Sequence, residues 1–335
     1  MTPRSSRSGR AAVLAVDGGN SKTDVVLLDR KGNVVGAARG AGSNHSHSDH
    51  HSAMSVIDSL VAEAAGGPTE SVADLAMLCL AGADYPSDSR RLAAGAARFR
   101  WADRVVIHND AIAMLRAGTD SEAAIALVCG AGVNCVGVAP GGRRAGFPAL
   151  GEVSGDWGGG YDIGMAALVA AIRAQDGRGP RTCLAKSVPA YFDLARPSNV
   201  VYAMHCGRID QERLTELPPL VFMAGDGGDP VALAIIDRLA AELVTMVGAI
   251  ARRLRLTRSS FDVVLGGGVL AAGHPLLYEP LTAGILRVAP EARLVMLAAA
   301  PVAGAALLAL DELGIAARSG VRPAIEAALA TKGRP

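Results

Sequence analysis

Asp17-Gly18-Gly19-Asn20-Ser21-Lys22-Thr23 is the stretch on which the reading of this chain turns. It lies between the apolar runs 12–16 and 24–28, so it joins two strands rather than a strand and a helix. Its glycines let backbone approach a ligand, and its hydroxyls and exposed amides suit phosphate oxygens. An aspartate at the strand end, Asp17, can hold Mg²⁺ through water, because Mg²⁺ gives up its hydration reluctantly. The stretch is not a Walker A loop. No G-x-x-x-x-G-K-[ST] is present, and residues 29–33 turn the chain into a third strand at 34–37. A plain turn with a buried capping aspartate is the alternative.

The same pattern returns later. Residues 124–129 form an apolar run, Gly130-Ala131-Gly132-Val133-Asn134 a second glycine-rich turn, and residues 135–139 another strand before a hairpin turn at 140–142. Two copies of one supersecondary unit predict two domains related by duplication, at 11–118 and 119–335, with the last helix able to pack back on the first. Residues 1–10, rich in Arg and Ser, are expected to be disordered. Helical patterns cover 52–65, 87–99, 161–174, 230–254 and 301–313, and buried strands 75–80, 104–107 and 262–265. Strands alternating with helices predict an α/β fold.

Composition agrees. A chain of 335 residues accommodates two domains, and half its residues are hydrophobic with only 4% aromatic, which favours helices packed closely on sheets. A net charge of +1 gives no field for nucleic acid or acidic lipid, so neither is expected as a partner. Five scattered cysteines without a C-x-x-C pair predict reduced thiols and a cytoplasmic protein. Asp17 interrupts the first apolar run before it could serve as a signal peptide, and Pro301 and Gly304 break the longest one, 294–310, so no membrane span is expected.

Three more places carry chemistry. Asp110 ends the strand 105–107 and opens a helical stretch. There it can accept a proton from a hydroxyl attacking a γ-phosphate, or simply cap the helix. Residues 151–160, Gly-Glu-Val-Ser-Gly-Asp-Trp-Gly-Gly-Gly, put Glu152 and Asp156 in a loop suited to a small polar ligand, or to a hinge. Gly266-Gly267-Gly268 offers bare backbone after a strand. His45-Ser46-His47-Ser48-Asp49-His50, with His108 downstream, spells a zinc-binding string. It follows a glycine-rich turn rather than a strand, so a solvated loop fits it better.

In order and spacing, these motifs resemble the N-acetylglucosamine kinase and BadF/BadG-type ATPase family of the actin/hexokinase/Hsp70 superfamily. The strings are residues 17–24, 43–45, 109–111, 130–134, 154–160 and 265–269. The resemblance implies two actin-like (ribonuclease H-like) domains with a nucleotide cleft between them, acting on ATP and Mg²⁺. It implies phosphate contacts from Asp17, Gly18, Gly19, Asn20, Ser21, Lys22, Thr23, Gly130, Ala131 and Gly132, with Asp17 near the metal. Gly266, Gly267 and Gly268 would back the adenosine. Asn44, His45, Asn134, Glu152 and Asp156 would contact an amino sugar such as N-acetylglucosamine or glucosamine, and Asp110 would be the base toward its 6-hydroxyl. A homodimer is implied on the same grounds. Val133 departs from the hydroxyl residue usual in the second phosphate turn. Two other functions compete with this one. A BadF-type activator needs closely placed thiolates for an iron–sulfur cluster, whereas Cys129 and Cys135 flank the second turn. A sugar-sensing repressor needs a helix-turn-helix, for which residues 1–10 are too short.

Overall fold

The computed structural model describes residues 10–43, 50–317 and 319–332. The chain divides into two compact units, one of Met1–Asp120 with Leu297–Pro335, the other of Ser121–Met296.

The first unit is built on β1 (Ala11–Gly18), whose every residue is buried, as a central strand covered on both faces must be. β2 (Lys22–Leu28) and β3 (Val34–Ala41) extend it antiparallel on one side. After α1 (His50–Ala65), β4 (Ala73–Leu80) pairs parallel to β1, and after α2 (Pro86–Ala97), β5 (Ala102–Asn109) pairs parallel to β4. The order is β3-β2-β1-β4-β5. α3 (Asp110–Gly118) leaves directly from β5.

The second unit repeats this plan. β6 (Ala124–Cys129), β7 (Val133–Ala139) and β8 (Arg143–Gly146) form an antiparallel meander. Five helices follow: α4 (Gly159–Asp176), α5 (Leu184–Tyr191), α6 (Pro197–His205), α7 (Pro218–Asp226) and α8 (Pro230–Leu254). Then β9 (Phe261–Gly266), α9 (Gly268–Ala271), α10 (Pro275–Val288) and β10 (Ala292–Met296) complete the sheet in the order β10-β9-β6-β7-β8. The two sheets share one topology, the ribonuclease H-like arrangement that the resemblance implies.

α11 (Pro301–Glu312) and α12 (Val321–Ala330) belong to the first unit, so that unit takes two helices from the region 119–335. α11 is apolar on almost every side, and it buries Val302, Leu307 and Leu310 in the core that also contains β1 and β4 residues. A helix without a polar face must be covered on all sides.

Several boundaries differ from those expected. From sequence, Lys22, Thr23, Val133 and Asn134 fall in turns; in the structure they open β2 and β7. The turns are tighter because glycine lets each close on itself: the Gly19 amide donates to the Lys22 carbonyl at 2.9 Å and the Gly130 amide to that of Gly132 at 2.9 Å. α4 starts two residues early, at Gly159; the strand after the 140–142 hairpin and the strand that opens the run 294–310 are present as β8 and β10, whereas α5, α6, α7, α9, α10 and α12 have no counterpart in the sequence reading. No helix of the described residues is long and apolar enough to cross a membrane.

The contact of α11 with α3 depends on Gly304, where a Cβ would lie 1.8 Å from the Ala113 carbonyl oxygen and 2.6 Å from the Ala117 nitrogen. Gly304→Val should therefore cost about 2–3 kcal/mol, because neither backbone can yield cheaply. Urea denaturation measures it, and an unchanged midpoint would contradict this close crossing.

Candidate active site

The first cluster forms where the parallel strands of the first unit end. Asp17, Cys79 and His108 lie in one row across β1, β4 and β5, and Gly18, Leu80 and Asn109 in the next. Asp110 follows Asn109, two strands from Asp17, or roughly 10 Å at normal strand spacing. This carboxyl edge is where ligands bind in open α/β sheets.

Gly18 has no room for a side chain: a Cβ would sit 2.5 Å from the Ser43 hydroxyl and 2.7 Å from a Leu80 methyl. Thr23 is fully buried and donates its hydroxyl to Ser43 Oγ at 2.9 Å. Asn20 and Ser21 form the exposed tip of the turn. Asn44 and His45, and the rest of the zinc-like string up to Asp49, lie outside the described residues. Among the described residues no three His, Cys, Asp or Glu side chains gather to hold an ion.

Charge here is unevenly balanced. Asp24, opposite Asp17 in the β1–β2 ladder, is fully buried. Arg39 donates to it twice, at 2.5 and 3.0 Å, and Lys22 once, at 3.1 Å. Both cations are thus spent on Asp24. Asp17 is left with burial as the main influence on its carboxyl, followed by repulsion from Asp110 and Asp24, and its pKa rises to about 8. Asp110 rises to about 6, again chiefly through burial, although the residue is only half-buried and an amide hydrogen bond pulls the other way.

Capping of α3 falls to Asn109, whose Oδ1 accepts from the Ala111 amide at 3.0 Å and whose amide donates to Asp84 at 2.8 Å. Asp110 Oδ1 shares that Ala111 donor at 2.9 Å, and the residue's own amide also hydrogen-bonds its carboxylate. Sequence alone leaves base and cap as equal readings of Asp110; in the structure Asn109 is the N-cap of α3 and Asp110 Oδ1 shares its Ala111 donor.

Mg²⁺ suits the Asp17 carboxyl. A hard oxygen donor lacking a counter-cation and holding its proton to high pH is the kind of group that an arriving divalent ion deprotonates. With so few protein ligands nearby, such an ion would take its remaining ligands from water and phosphate.

In the second unit, three glycine-rich segments far apart in sequence meet. The Gly130 carbonyl accepts from the Gly160 amide at 2.7 Å, and that of Ala131 from the Tyr161 amide at 3.0 Å. Gly159, at φ +83°, lies so close that a Cβ would be 2.5 Å from Gly132. Gly267, at φ +88°, brings α9 against the Cys129 carbonyl, where a Cβ would lie 2.4 Å away. Gly266 is buried as the last residue of β9, whereas Gly268, Ala131 and Gly132 remain exposed backbone. The first amides of α4 are therefore occupied by this turn. Asp156 is buried and accepts from Ser154 Oγ at 2.5 Å, Glu152 is exposed, and Asn134 is half-buried in β7 opposite Val128.

Sequence reasoning assigned no role to Arg39 and none beyond motif membership to Asp24. The signal was a lone acidic residue in an otherwise apolar, buried strand, which requires a partner.

Two consequences can be measured. A carboxyl whose folded pKa is raised contributes stability fully below about pH 4 and loses it as pH rises through the folded pKa, so the ligand-free protein should weaken from about pH 4 to 8. Asp17→Asn removes that loss and should raise the ligand-free Tm at pH 8 by about 3–8 °C, with little change at pH 4; a Tm at pH 8 no higher than wild type would contradict it. Arg39→Met leaves the Asp24 charge buried with only Lys22 beside it, and should cost about 3–5 kcal/mol in denaturant unfolding. A loss below 1 kcal/mol would show Asp24 to be otherwise compensated.

The sequence profile of the BadF/BadG/BcrA/BcrD ATPase family matches residues 14–309. The chain is 26% identical over 260 residues to an N-acetylmuramic acid/N-acetylglucosamine kinase of Clostridium acetobutylicum, covering 77% of this chain and 85% of that one. It is 25% identical over 317 residues to an N-acetyl-D-glucosamine kinase of Dictyostelium discoideum, covering 89% and 97%. In three dimensions it is similar to a Chromobacterium violaceum protein provisionally assigned as an N-acetylglucosamine kinase, with a TM-score of 0.72, 23% identity, and 90% and 99% coverage. With a profile that spans both sheets and both glycine-rich turns, the chain belongs to the BadF/BadG/BcrA/BcrD ATPase family.

Proposed function

We propose that this protein is an ATP-dependent sugar kinase that phosphorylates an amino sugar of the N-acetylglucosamine type, at the 6-hydroxyl. The observation that carries the reading is Asp110: a half-buried carboxylate at a strand end, beside the N-cap of α3, with a pKa near 6. Such a group is ionised at neutral pH yet more basic than an ordinary aspartate, as a general base should be.

The acceptor hydroxyl donates to the Asp110 carboxylate, which takes its proton as the oxygen attacks the γ-phosphorus in line; the bond to the β,γ-bridging oxygen breaks and ADP leaves. The turn 17–23 of the first unit and the exposed backbone of Ala131 and Gly132 of the second are each suited to phosphate oxygens. Mg²⁺, which Asp17 would hold through water, supplies neutralising charge to the phosphates. Asp156, fixed by Ser154, and Glu152 and Asn134 orient the sugar. The names of the curated relatives support the amino-sugar class.

The iron–sulfur activator fits less well. Cys129 and Cys135 are buried and burial pushes both thiols up, Cys129 to about 12, so neither offers the thiolate that cluster ligation needs. Cys183 and Cys206, which are exposed, stand at the ends of α5 and α6.

Asp110→Asn should lower kcat about 10²–10⁴-fold while leaving ATP affinity within about twofold. In the wild type, kcat/KM should fall about tenfold per pH unit below about pH 6, as Asp110 takes up its proton. Normal turnover in the variant, or a profile flat down to pH 5, removes Asp110 from the role.

A further inference from the structure

Asp84 belongs to none of the sequence motifs. It lies in the turn Ala81-Gly82-Ala83-Asp84, between β4 and α2 of the first unit. The turn is pinned at both ends. The Ala81 amide donates to the Gly18 carbonyl at 2.8 Å, and the Ala83 amide to that of Leu80 at 3.2 Å. Between them Gly82, at φ +82°, takes the left-handed conformation that the reversal needs. Beyond it the Tyr85 amide donates to Asp88 Oδ2 at 2.9 Å, so the cap of α2 is supplied by Asp88 rather than Asp84.

The Asp84 carboxylate reaches across the sheet edge instead. Leu80 and Asn109 are register partners at the ends of β4 and β5, and Asp84 Oδ1 accepts from Asn109 Nδ2 at 2.8 Å. This contact decides which way round the Asn109 amide sits. A carboxylate only accepts hydrogen bonds, so it draws the NH₂ end toward itself and turns the oxygen the other way. That oxygen meets the Ala111 amide at 3.0 Å and caps α3. Turned over, Asn109 would set its NH₂ against the Ala111 N–H and its oxygen against the carboxylate. Asp110 Oδ1 depends on the same Ala111 amide, at 2.9 Å, so whatever fixes the first turn of α3 also fixes the acid.

We propose that Asp84 is a positioning residue for the base, holding Asp110 in place through the orientation of Asn109. The inference rests on the reading of Asp110 as the base, and adds the group that sets its geometry. It also ties the base to the phosphate turn, because the segment that carries Asp84 is pinned to Gly18. A misplacement of about 1 Å at a reacting group can cost about 100-fold in rate, so an anchor of this kind bears directly on turnover.

The test measures kcat and both KM values, with N-acetylglucosamine and ATP, in Asp84→Ala, Asp84→Asn, Asn109→Ala and the double variant Asp84→Ala/Asn109→Ala. Asp84→Ala should lower kcat about 10–100-fold and leave each KM within about threefold. Asp84→Asn keeps an oxygen acceptor without the charge and should recover most of that loss. The double variant should lose no more than about twofold beyond Asn109→Ala, because a residue that acts through Asn109 has nothing to hold once it is gone. Hydrogen exchange at the Ala111 amide, followed in the ligand-free protein, should quicken about fivefold in Asp84→Ala, the worth of a weakened N-cap. That readout needs no turnover. Normal kcat in Asp84→Ala, a loss confined to KM, Asp84→Asn as impaired as Asp84→Ala, additive losses in the double variant, or an unchanged Ala111 exchange rate each overturns the positioning role and leaves the kinase reading standing. A wild type that phosphorylates no sugar overturns both.

Discussion

The first unit depends on where two positive charges go. Lys22 and Arg39 could have neutralised any acid at the sheet edge, but both are bound to Asp24 inside the β-meander. Removing one partner of a buried pair costs far more than the pair contributes, so this arrangement is hard to rearrange once formed. It leaves Asp17 and Asp110 as a pair of acids short of counter-charge at the end of parallel strands. The ligand-free protein holds that arrangement at a cost in stability. Residues tuned for function commonly depress stability in this manner.

The second unit makes a different contribution, through backbone. Its glycine segments are not individually ligand loops. Gly159 and Gly267 are glycines because other backbone passes within a Cβ's reach of them. Their effect is to fix the turn 130–132 against the start of α4 and leave Ala131 and Gly132 uncovered. A turn so braced can present amides to a phosphate without reorganising, which is how preorganised dipoles favour a transition state.

Much of this was legible in the sequence, and the reasons are specific. The repeated strand–turn–strand around 17–23 and 130–134 fixed the two-sheet plan, because apolar runs of that length broken by glycine have few other outcomes. Asp110 stands out as an acid at the end of a strand, yet that Asn109, itself held by Asp84, is the N-cap of α3 is visible only in the structure. The helices α5, α6, α7, α10 and α12 lacked a clear signal, being short or broken by proline as in α5 and α10. The claim of α11 on the first unit was invisible too, since a helix apolar on all sides does not say which sheet it covers.

The central claim, that this family member uses ATP to phosphorylate an amino sugar, is most directly tested by coupled ADP release from Mg·ATP across a panel of amino sugars, plain hexoses and cyclitols. The account predicts release that depends on an N-acetylated or free amino sugar, with a stoichiometric sugar phosphate as product. ADP release that is indifferent to every sugar would contradict it and point instead to the ATP-hydrolysing activators of the same family.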